Sequence, residues 1–80
     1  MSPAMARRQI DTALGPVLRR YREQAGLSQE KTAHAADLTV ASYAAIERGK
    51  VAPGWWTVRQ IAVALDVPLG ELAAAVEAES

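Results

Sequence analysis

The amino-acid sequence predicts an all-α domain of five short helices. Apolar residues recur at helical spacing in five segments, and glycine, aspartate or proline separates these segments. No segment shows sustained alternation of polar and β-branched residues, so we expect no strand. With 80 residues, the chain has room for a single domain. We predict a flexible N-terminal tail over residues 1–9 and the domain itself over residues 10–78.

The first helix is predicted over residues 16–25. Pro16 suits a first helical turn, where its missing N–H costs no hydrogen bond. Leu14, Leu18 and Tyr21 then fall on one side of the helix. Gly26 follows as a residue that ends helices.

The second and third helices are predicted over residues 29–36 and 40–48. Ser28 and Thr39 precede them as N-cap residues, whose hydroxyl oxygens can accept a backbone hydrogen bond from the first turn. Asp37 and Leu38 form the short connection, and aspartate tolerates a left-handed backbone better than most residues do.

The fourth helix is predicted over residues 55–65, after a loop at residues 50–54. We place Trp55 in the core. Its neighbour Trp56 points elsewhere, since adjacent helical residues differ by about 100°. Trp56 could lie at the edge of a ligand site, at a subunit interface or on the surface, of which we favour an interface. The fifth helix starts at Pro68 and fades by Ala78.

Composition excludes several classes of protein. The chain has no cysteine, so disulfides, thiol chemistry and cysteine-ligated metals are excluded. The single histidine, His34, has no second ligand near it in sequence, and we expect it on the surface. We expect no metal, no cofactor and no enzymatic activity, because no nucleophile–base pair or phosphate loop is visible. No apolar run reaches the ~18 residues of a membrane span, and we expect a cytoplasmic protein.

Charge and alanine content point to partners. The net charge is zero, but all nine Lys and Arg lie in residues 1–59. The charged residues of positions 60–80 are four acids. Such asymmetry is expected if one face meets an anion, and it is equally compatible with chance in a short chain. Alanine accounts for 17 of the 40 hydrophobic residues, so the core is thin and oligomerisation could add stability.

Two short helices joined by a tight turn can place the second helix in the major groove of DNA. This arrangement needs a small residue where the helices cross, and Ala33 fits. It also needs an apolar residue in the turn, and Leu38 fits. Ser28 and Thr39 could leave helix N-termini facing phosphate groups.

The sequence resembles the phage-repressor-like (XRE-type) helix-turn-helix family over about residues 14–76. The matching positions are Leu14-Gly15, Leu18-Arg19, Arg22-Glu23, Gly26-Leu27-Ser28-Gln29-Glu30, Ala33, Thr39, Tyr43, Ile46-Glu47-Arg48-Gly49, Pro53 and Ile61-Ala62-Val63-Ala64-Leu65. The resemblance implies a compact five-helix lambda-repressor-like DNA-binding domain. It further implies a homodimer on a two-fold operator of double-stranded DNA, usually a repressor.

The resemblance also implies roles for individual residues. Arg22 and Glu47 match a structural salt bridge between the first and third helices. The matching phosphate-binding positions are Ser28, Thr39, Arg48, Lys50, Gly54 and Trp55. The matching base-reading positions are Gln29, Val40, Ala41, Ser42, Ala44 and Ala45.

The base-reading positions depart from those of well-known members of the family. Valine and alanine cannot form the bidentate hydrogen bonds that distinguish guanine or adenine, although they can pack on thymine methyl groups. We therefore expect modest direct readout. DNA shape, Gln29 or a minor-groove contact from Arg7 and Arg8 would support it.

Several alternatives remain open from the sequence. Arg19 and Arg20 could contact phosphates or form a solvated face. The acidic last helix should face away from DNA and could provide a dimer seam. Besides a DNA-binding regulator, the same fold could serve an antitoxin or another partner-binding protein, or a restriction–modification controller. An enzyme is the weakest reading.

Overall fold

The computed structural model describes the backbone of residues 3–79 and the side chains of residues 13–79. Five helices make up this part of the chain, and no strand occurs in it. They are α1 (Pro3–Gln24), α2 (Gln29–Ala35), α3 (Val40–Glu47), α4 (Trp55–Ala64) and α5 (Leu69–Glu79). The predicted all-α class and the five-helix architecture are confirmed.

The predicted bounds of the last four helices agree with the structure to within one or two residues. Ser28 and Thr39 adopt extended backbone conformations directly before α2 and α3, as N-cap residues do. Gly49 and Asp66 follow α3 and α4 with positive φ angles of 73° and 56°. Turn chemistry was therefore a reliable guide to where these helices begin and end.

The predicted start of the first helix was wrong. α1 begins at Pro3 and contains Pro16 in its interior, so the helix includes residues 3–9. Pro16 is exposed, and the one helical hydrogen bond that its missing N–H removes leaves a carbonyl group for water. The side chains of Arg7 and Arg8 lie outside the described residues, and the domain limits 10–78 remain a prediction.

The hydrophobic core lies where α1 meets α3 and α5, and α4 closes it against α2 and α5. Its largest fully buried apolar side chains are Val17, Leu18, Tyr43, Ile61 and Leu72. Small residues complete it, notably Ala13, Ala33, Ala36 and Ala62. Because alanine contributes little apolar area, the core that holds the helices together is modest in size.

Gly15 marks the closest approach of α1 to α3. A Cβ atom added there would lie 2.9 Å from the carbonyl carbon of Glu47 and closer still to its oxygen. The obstructing atoms belong to the backbone and cannot rotate away. Only glycine therefore permits the observed spacing of these two helices.

Two aspartates adopt the left-handed conformation that the sequence analysis anticipated for Asp37. Asp37, between α2 and α3, has a φ of 60°, and Asp66, between α4 and α5, has a φ of 56°. Aspartate is one of the few side chains that tolerate this region. The tight connection between α2 and α3 thus forms without a glycine.

Thr32 is fully buried on α2, and its hydroxyl oxygen has no hydrogen-bond partner among the described residues. Thr32→Val keeps the shape of the side chain and removes the buried hydroxyl group. We expect it to raise the free energy of unfolding by about 1 kcal/mol, measured by urea denaturation. Thr39→Val is the control with the opposite sign, because that hydroxyl accepts a hydrogen bond from the Ser42 N–H. Equal losses in both variants would show that the Thr32 hydroxyl has a partner.

Side-chain bonds link α5 to α1. Arg20 pairs with Glu79 at 2.8 Å, and the Tyr21 hydroxyl donates to Glu71 at 3.2 Å. Both contacts are exposed, so each adds little stability. The two contacts engage Glu71 and Glu79 of α5. They also give Arg20, whose role the sequence left open, a carboxylate partner.

Within residues 3–79, no helix combines the length and the apolar character that crossing a membrane requires. The described side chains also contain no group of three histidines or acids that could hold a metal ion.

Candidate nucleic-acid interface

The helices α2 and α3 form a helix-turn-helix unit. Ala33 is fully buried where they pack together, and its carbonyl oxygen accepts a 2.8 Å hydrogen bond from the Leu38 N–H. Leu38 is half-buried and packs against the core. The predicted small residue at the crossing and the predicted apolar residue in the turn are confirmed.

Both helices carry side-chain N-caps. The Ser28 hydroxyl oxygen accepts from the Lys31 N–H at 3.0 Å, and the Thr39 hydroxyl oxygen accepts from the Ser42 N–H at 3.1 Å. Thr39 also donates to the Ser42 hydroxyl oxygen at 2.8 Å. These hydrogen bonds fix the first turn of α3. One lone pair of the Ser42 hydroxyl oxygen is already engaged by Thr39.

The helix α3 divides into an exposed and a buried face. Val40, Ala41 and Ser42 are exposed, with Val40 at 42 %, and Ala45 is half-buried at the margin. The buried face consists of Tyr43, Ala44, Ile46 and Glu47. The first turn of α3 is thus the part available to a ligand.

The predicted base-reading role of Ala44 was wrong. Its exposure is only 7 %, so its methyl group lies inside the protein and cannot reach a base edge. The reason is the helical period, which turns position 44 by about 100° from its neighbour Tyr43 and still within the inward half of the helix. Val40, Ala41, Ser42 and Ala45 remain candidates.

Arg22 and Glu47 form the predicted structural salt bridge between α1 and α3. The Arg22 Nε donates to Glu47 Oε2 at 2.6 Å, and a second guanidinium nitrogen donates to Oε1 at 3.2 Å. Side-chain exposure is only 12 % for Arg22 and 3 % for Glu47. Arg22 also donates to the Leu27 carbonyl oxygen at 2.9 Å. The bidentate pair therefore ties α3 to the end of α1.

Gln29 joins this pair from the start of α2. Its amide nitrogen donates to Glu47 Oε1 at 3.1 Å, so one carboxylate holds three helices together. Burial raises the pKa of the Glu47 carboxyl group, but the hydrogen bonds from Arg22 and Gln29 and the positive charge of Arg22 outweigh burial and hold the pKa below its usual value. Glu47 is accordingly ionised at neutral pH, and the sequence carried no signal for its contact with Gln29.

An open groove of about 690 Å³ lies over this network. It is lined by Arg19, Arg22, Ser28, Gln29, Glu30, Val40, Glu47 and Arg48. The groove thus brings together residues that the sequence analysis placed in three separate sets: the salt bridge, the phosphate contacts and the base readers.

Arg48 and Lys50 lie directly after α3 and are exposed. Arg19, Arg20 and Arg22 each have a carboxylate partner, whereas neither Arg48 nor Lys50 has one among residues 13–79. Arg19 pairs with Glu23 on its own helix. The cations left without a carboxylate among the described residues therefore include the two that directly follow the C-terminal end of α3.

Gly54 precedes α4 as its N-cap and makes no side-chain capping bond. The first N–H groups of α4, next to Trp55, are therefore not satisfied by a side chain at the cap, as an anion contact requires. Gly54 and Trp55 are both exposed.

The placement of Trp55 in the core was wrong. Trp55 is 70 % exposed and Trp56 is 62 % exposed. At the start of α4, Pro53 and Val58 are half-buried, and Trp55 lines a small apolar groove together with them. Trp56 faces another side, where its ring stacks with the Arg59 guanidinium at 5.4 Å.

These features define the class of protein: a five-helix domain whose capped helix pair exposes the first turn of its second helix, with two cations directly after that helix that lack a carboxylate partner among residues 13–79. A family described as the helix-turn-helix domain matches residues 13–75. The chain belongs to this helix-turn-helix domain family, and that membership supports DNA-binding transcription regulation as its general role.

Solved structures show the same fold. Two crystal structures of the clp gene regulator ClgR from Corynebacterium glutamicum superpose on this chain with TM-scores of 0.81 and 0.82, each at 20% identity. The matches cover 86% of this chain in both cases, and 90% and 73% of the respective ClgR chains. No curated protein sequence matches the chain.

Proposed function

We propose that this protein is a sequence-specific transcription regulator that represses by binding a two-fold DNA operator as a homodimer. One observation carries the proposal. The capped helix pair leaves the first turn of α3 exposed (Val40, Ala41 and Ser42), and Arg48 and Lys50, which have no carboxylate partner among the described residues, lie exposed directly after the same helix. A helix presented in this way can enter the major groove while cations bind the phosphate backbone.

The proposed base-reading surface is largely apolar. Val40 and Ala41 can pack on thymine methyl groups. Ser42 already accepts a hydrogen bond from Thr39, which leaves its own O–H and a second lone pair for DNA. Direct readout through α3 is therefore weak, and thymine-rich steps and DNA shape should contribute to the preferred sequence.

The proposed phosphate contacts surround this surface. Arg48 and Lys50 supply charge on one side, and the uncapped first turn of α4 at Gly54 and Trp55 supplies N–H groups. Ser28 keeps its backbone cap and has its O–H free to donate to a phosphate oxygen. The Thr39 O–H is donated to Ser42, so Thr39 reaches phosphate only by giving up that bond. Such contacts give affinity and register, whereas base contacts give specificity.

The homodimer is supported by two features of the chain. The core is rich in alanine, and the described surface exposes two tryptophans and the valines Val51 and Val63. Apolar exposure of this kind is typical of contact sites. The proposal also includes a dimer contact through α5, a two-fold operator, and repression as the direction of control.

The proposal is tested by fluorescence anisotropy with duplex DNA from upstream of the protein's own gene. A scrambled duplex of the same composition is measured beside it at several salt concentrations. We expect the native duplex to bind more tightly, with a preference that persists as salt rises, because base contacts do not depend on counterion release. If both duplexes bind equally and high salt abolishes binding to both, the DNA upstream of the protein's own gene does not contain the operator.

Variants separate phosphate contacts from base contacts in the same assay. Arg48→Ala and Lys50→Ala should each weaken binding to both duplexes and reduce the salt slope by about 1. Arg59→Ala removes an exposed cation that stacks on Trp56 instead, and should leave both quantities unchanged. An unchanged slope for Arg48→Ala would show that this side chain does not contact phosphate.

Val40→Gln addresses specificity. A glutamine at the exposed first position of α3 could bond a base edge, so the preferred sequence should change while the salt slope stays the same. The measurement is a selection from randomised duplexes with both proteins. An identical preferred sequence would show that position 40 does not face the bases.

A partner-binding role, such as that of an antitoxin, is the second candidate. The exposure of Trp55 and Trp56, at 70 % and 62 %, favours it. Under this alternative, the product of a neighbouring gene co-expressed with the protein would form a defined complex, and Trp56→Ala would dissociate it. Retention of the complex in that variant would remove Trp56 from the contact.

A further inference from the structure

The orientation of the Gln29 amide is determined by Glu47. A carboxylate only accepts hydrogen bonds, so the group that faces Glu47 Oε1 at 3.1 Å must be the amide nitrogen of Gln29. Glu47 is itself held by two hydrogen bonds from Arg22 and is almost completely buried. The Gln29 side chain is therefore anchored at one end by a rigid acceptor.

The remaining hydrogen-bonding groups of Gln29 are free. No other described residue bonds to its amide, which keeps one N–H and the carbonyl oxygen. Gln29 is half-buried at the first position of α2 and lines the open groove beside Val40. A primary amide has one N–H beside its carbonyl oxygen and one pointing away, so when Glu47 holds the N–H that points away, the other N–H and the carbonyl oxygen are presented side by side.

This pair of groups matches one base. Adenine displays the N7 acceptor and the N6 amine donor in the major groove, and a glutamine amide can bond both. Guanine displays two acceptors there, N7 and O6, so the amide oxygen would meet O6 unfavourably. The exposed positions of α3 offer no competing amide, since they are Val40, Ala41 and Ser42.

We infer that Gln29 is the adenine reader of this protein, with Glu47 as the positioning residue that turns the donor–acceptor edge of the amide toward DNA. The buried salt bridge then serves specificity as well as stability. The inference rests on the proposed DNA-binding function. It assigns to the start of α2 the direct base readout that the apolar α3 lacks.

The test starts from a selection of preferred duplexes with the wild-type protein. Each adenine of the preferred duplex is then replaced in turn by 7-deazaadenine, which lacks N7, or by purine, which lacks the N6 amine. Binding of the wild type, Gln29→Ala and Gln60→Ala is measured by anisotropy. Gln60→Ala makes the same chemical change on another helix, where the side chain lines a different groove, and thermal melting checks that all three proteins are folded.

We expect that at one adenine position both analogues weaken wild-type and Gln60→Ala binding about tenfold, and Gln29→Ala binding less than about twofold. Equal losses in Gln29→Ala and the wild type at every adenine, or a preferred duplex whose adenines all tolerate both analogues, would overturn the inference and leave DNA binding intact. If the selection enriches no sequence, the proposed sequence-specific function itself fails, and the inference fails with it.

Discussion

Arg22→Ala is expected to lower the free energy of unfolding by about 3 kcal/mol, which is most of the stability of a domain this small. The substitution leaves the Glu47 carboxylate buried, at 3 % side-chain exposure, with only the Gln29 amide as a hydrogen-bond donor of known geometry. It also removes the bond to the Leu27 carbonyl oxygen. Urea denaturation followed by circular dichroism measures the change.

Arg19→Ala is the matched control for this prediction. Arg19 lies on the same helix and also pairs with a glutamate, but its side chain is 66 % exposed and that of Glu23 is 56 % exposed. Removing an exposed pair should change the free energy of unfolding by less than about 0.5 kcal/mol. Similar losses in both variants would show that burial of the Arg22 pair carries no special cost.

The same pair makes stability depend on acid. The pKa of Glu47 is held below its usual value in the folded state. Its contribution to stability is therefore complete above the unfolded pKa, about 4.3, and is lost as pH falls through the lower folded pKa. We expect Glu47→Gln to be less stable than the wild type at pH 7, with the difference shrinking in urea titrations below about pH 4. A difference that stays constant down to pH 2 would contradict the assignment.

Gly15→Ala is expected to lower the free energy of unfolding by about 2–3 kcal/mol. The added methyl group would overlap the backbone of Glu47 and Ile46 in α3. Because a backbone carbonyl cannot change rotamer, α3 would have to move away from α1. Affinity for DNA should fall with stability, since α3 carries the proposed base-reading surface. Urea denaturation and anisotropy on the same preparations measure both effects.

Gly70→Ala is the control for the loss of a glycine. Gly70 lies within α5, and a Cβ atom added there meets nothing within 4 Å. The ordinary preference of helices for alanine should therefore raise the free energy of unfolding by about 0.5–1 kcal/mol. A gain in both variants would mean that α1 and α3 can separate without cost.

The sequence alone predicted the helices wherever their ends depend on local chemistry. The caps Ser28 and Thr39, the turn at Asp37 and the stop at Gly49 all act within a few residues of the chain. The salt bridge between Arg22 and Glu47 was predicted only because the resemblance to a known family supplied it. Spacing by itself did not connect positions 25 residues apart.

The start of α1, the exposure of Trp55 and the burial of Ala44 could not be predicted in this way. Pro16 looked like a helix start because proline is favoured in a first helical turn and disfavoured in a helix interior. Trp55 was placed inside because it shares its helical spacing with Val58 and Leu65, whereas in the structure it lines an open groove and is 70 % exposed. In each case the neighbours of the residue in space overruled its intrinsic preference.

The sequence by itself determined the all-α class, four of the five helices and the cations beside α3, because capping, turn conformation and charge are properties of short segments. The tertiary structure alone decided that Gly15 fits against α3 and that Gln29 shares the Glu47 carboxylate with Arg22. These contacts join segments that are distant in the chain. They exist only once packing has set the distance between helices, and that distance depends on all the side chains of the core together.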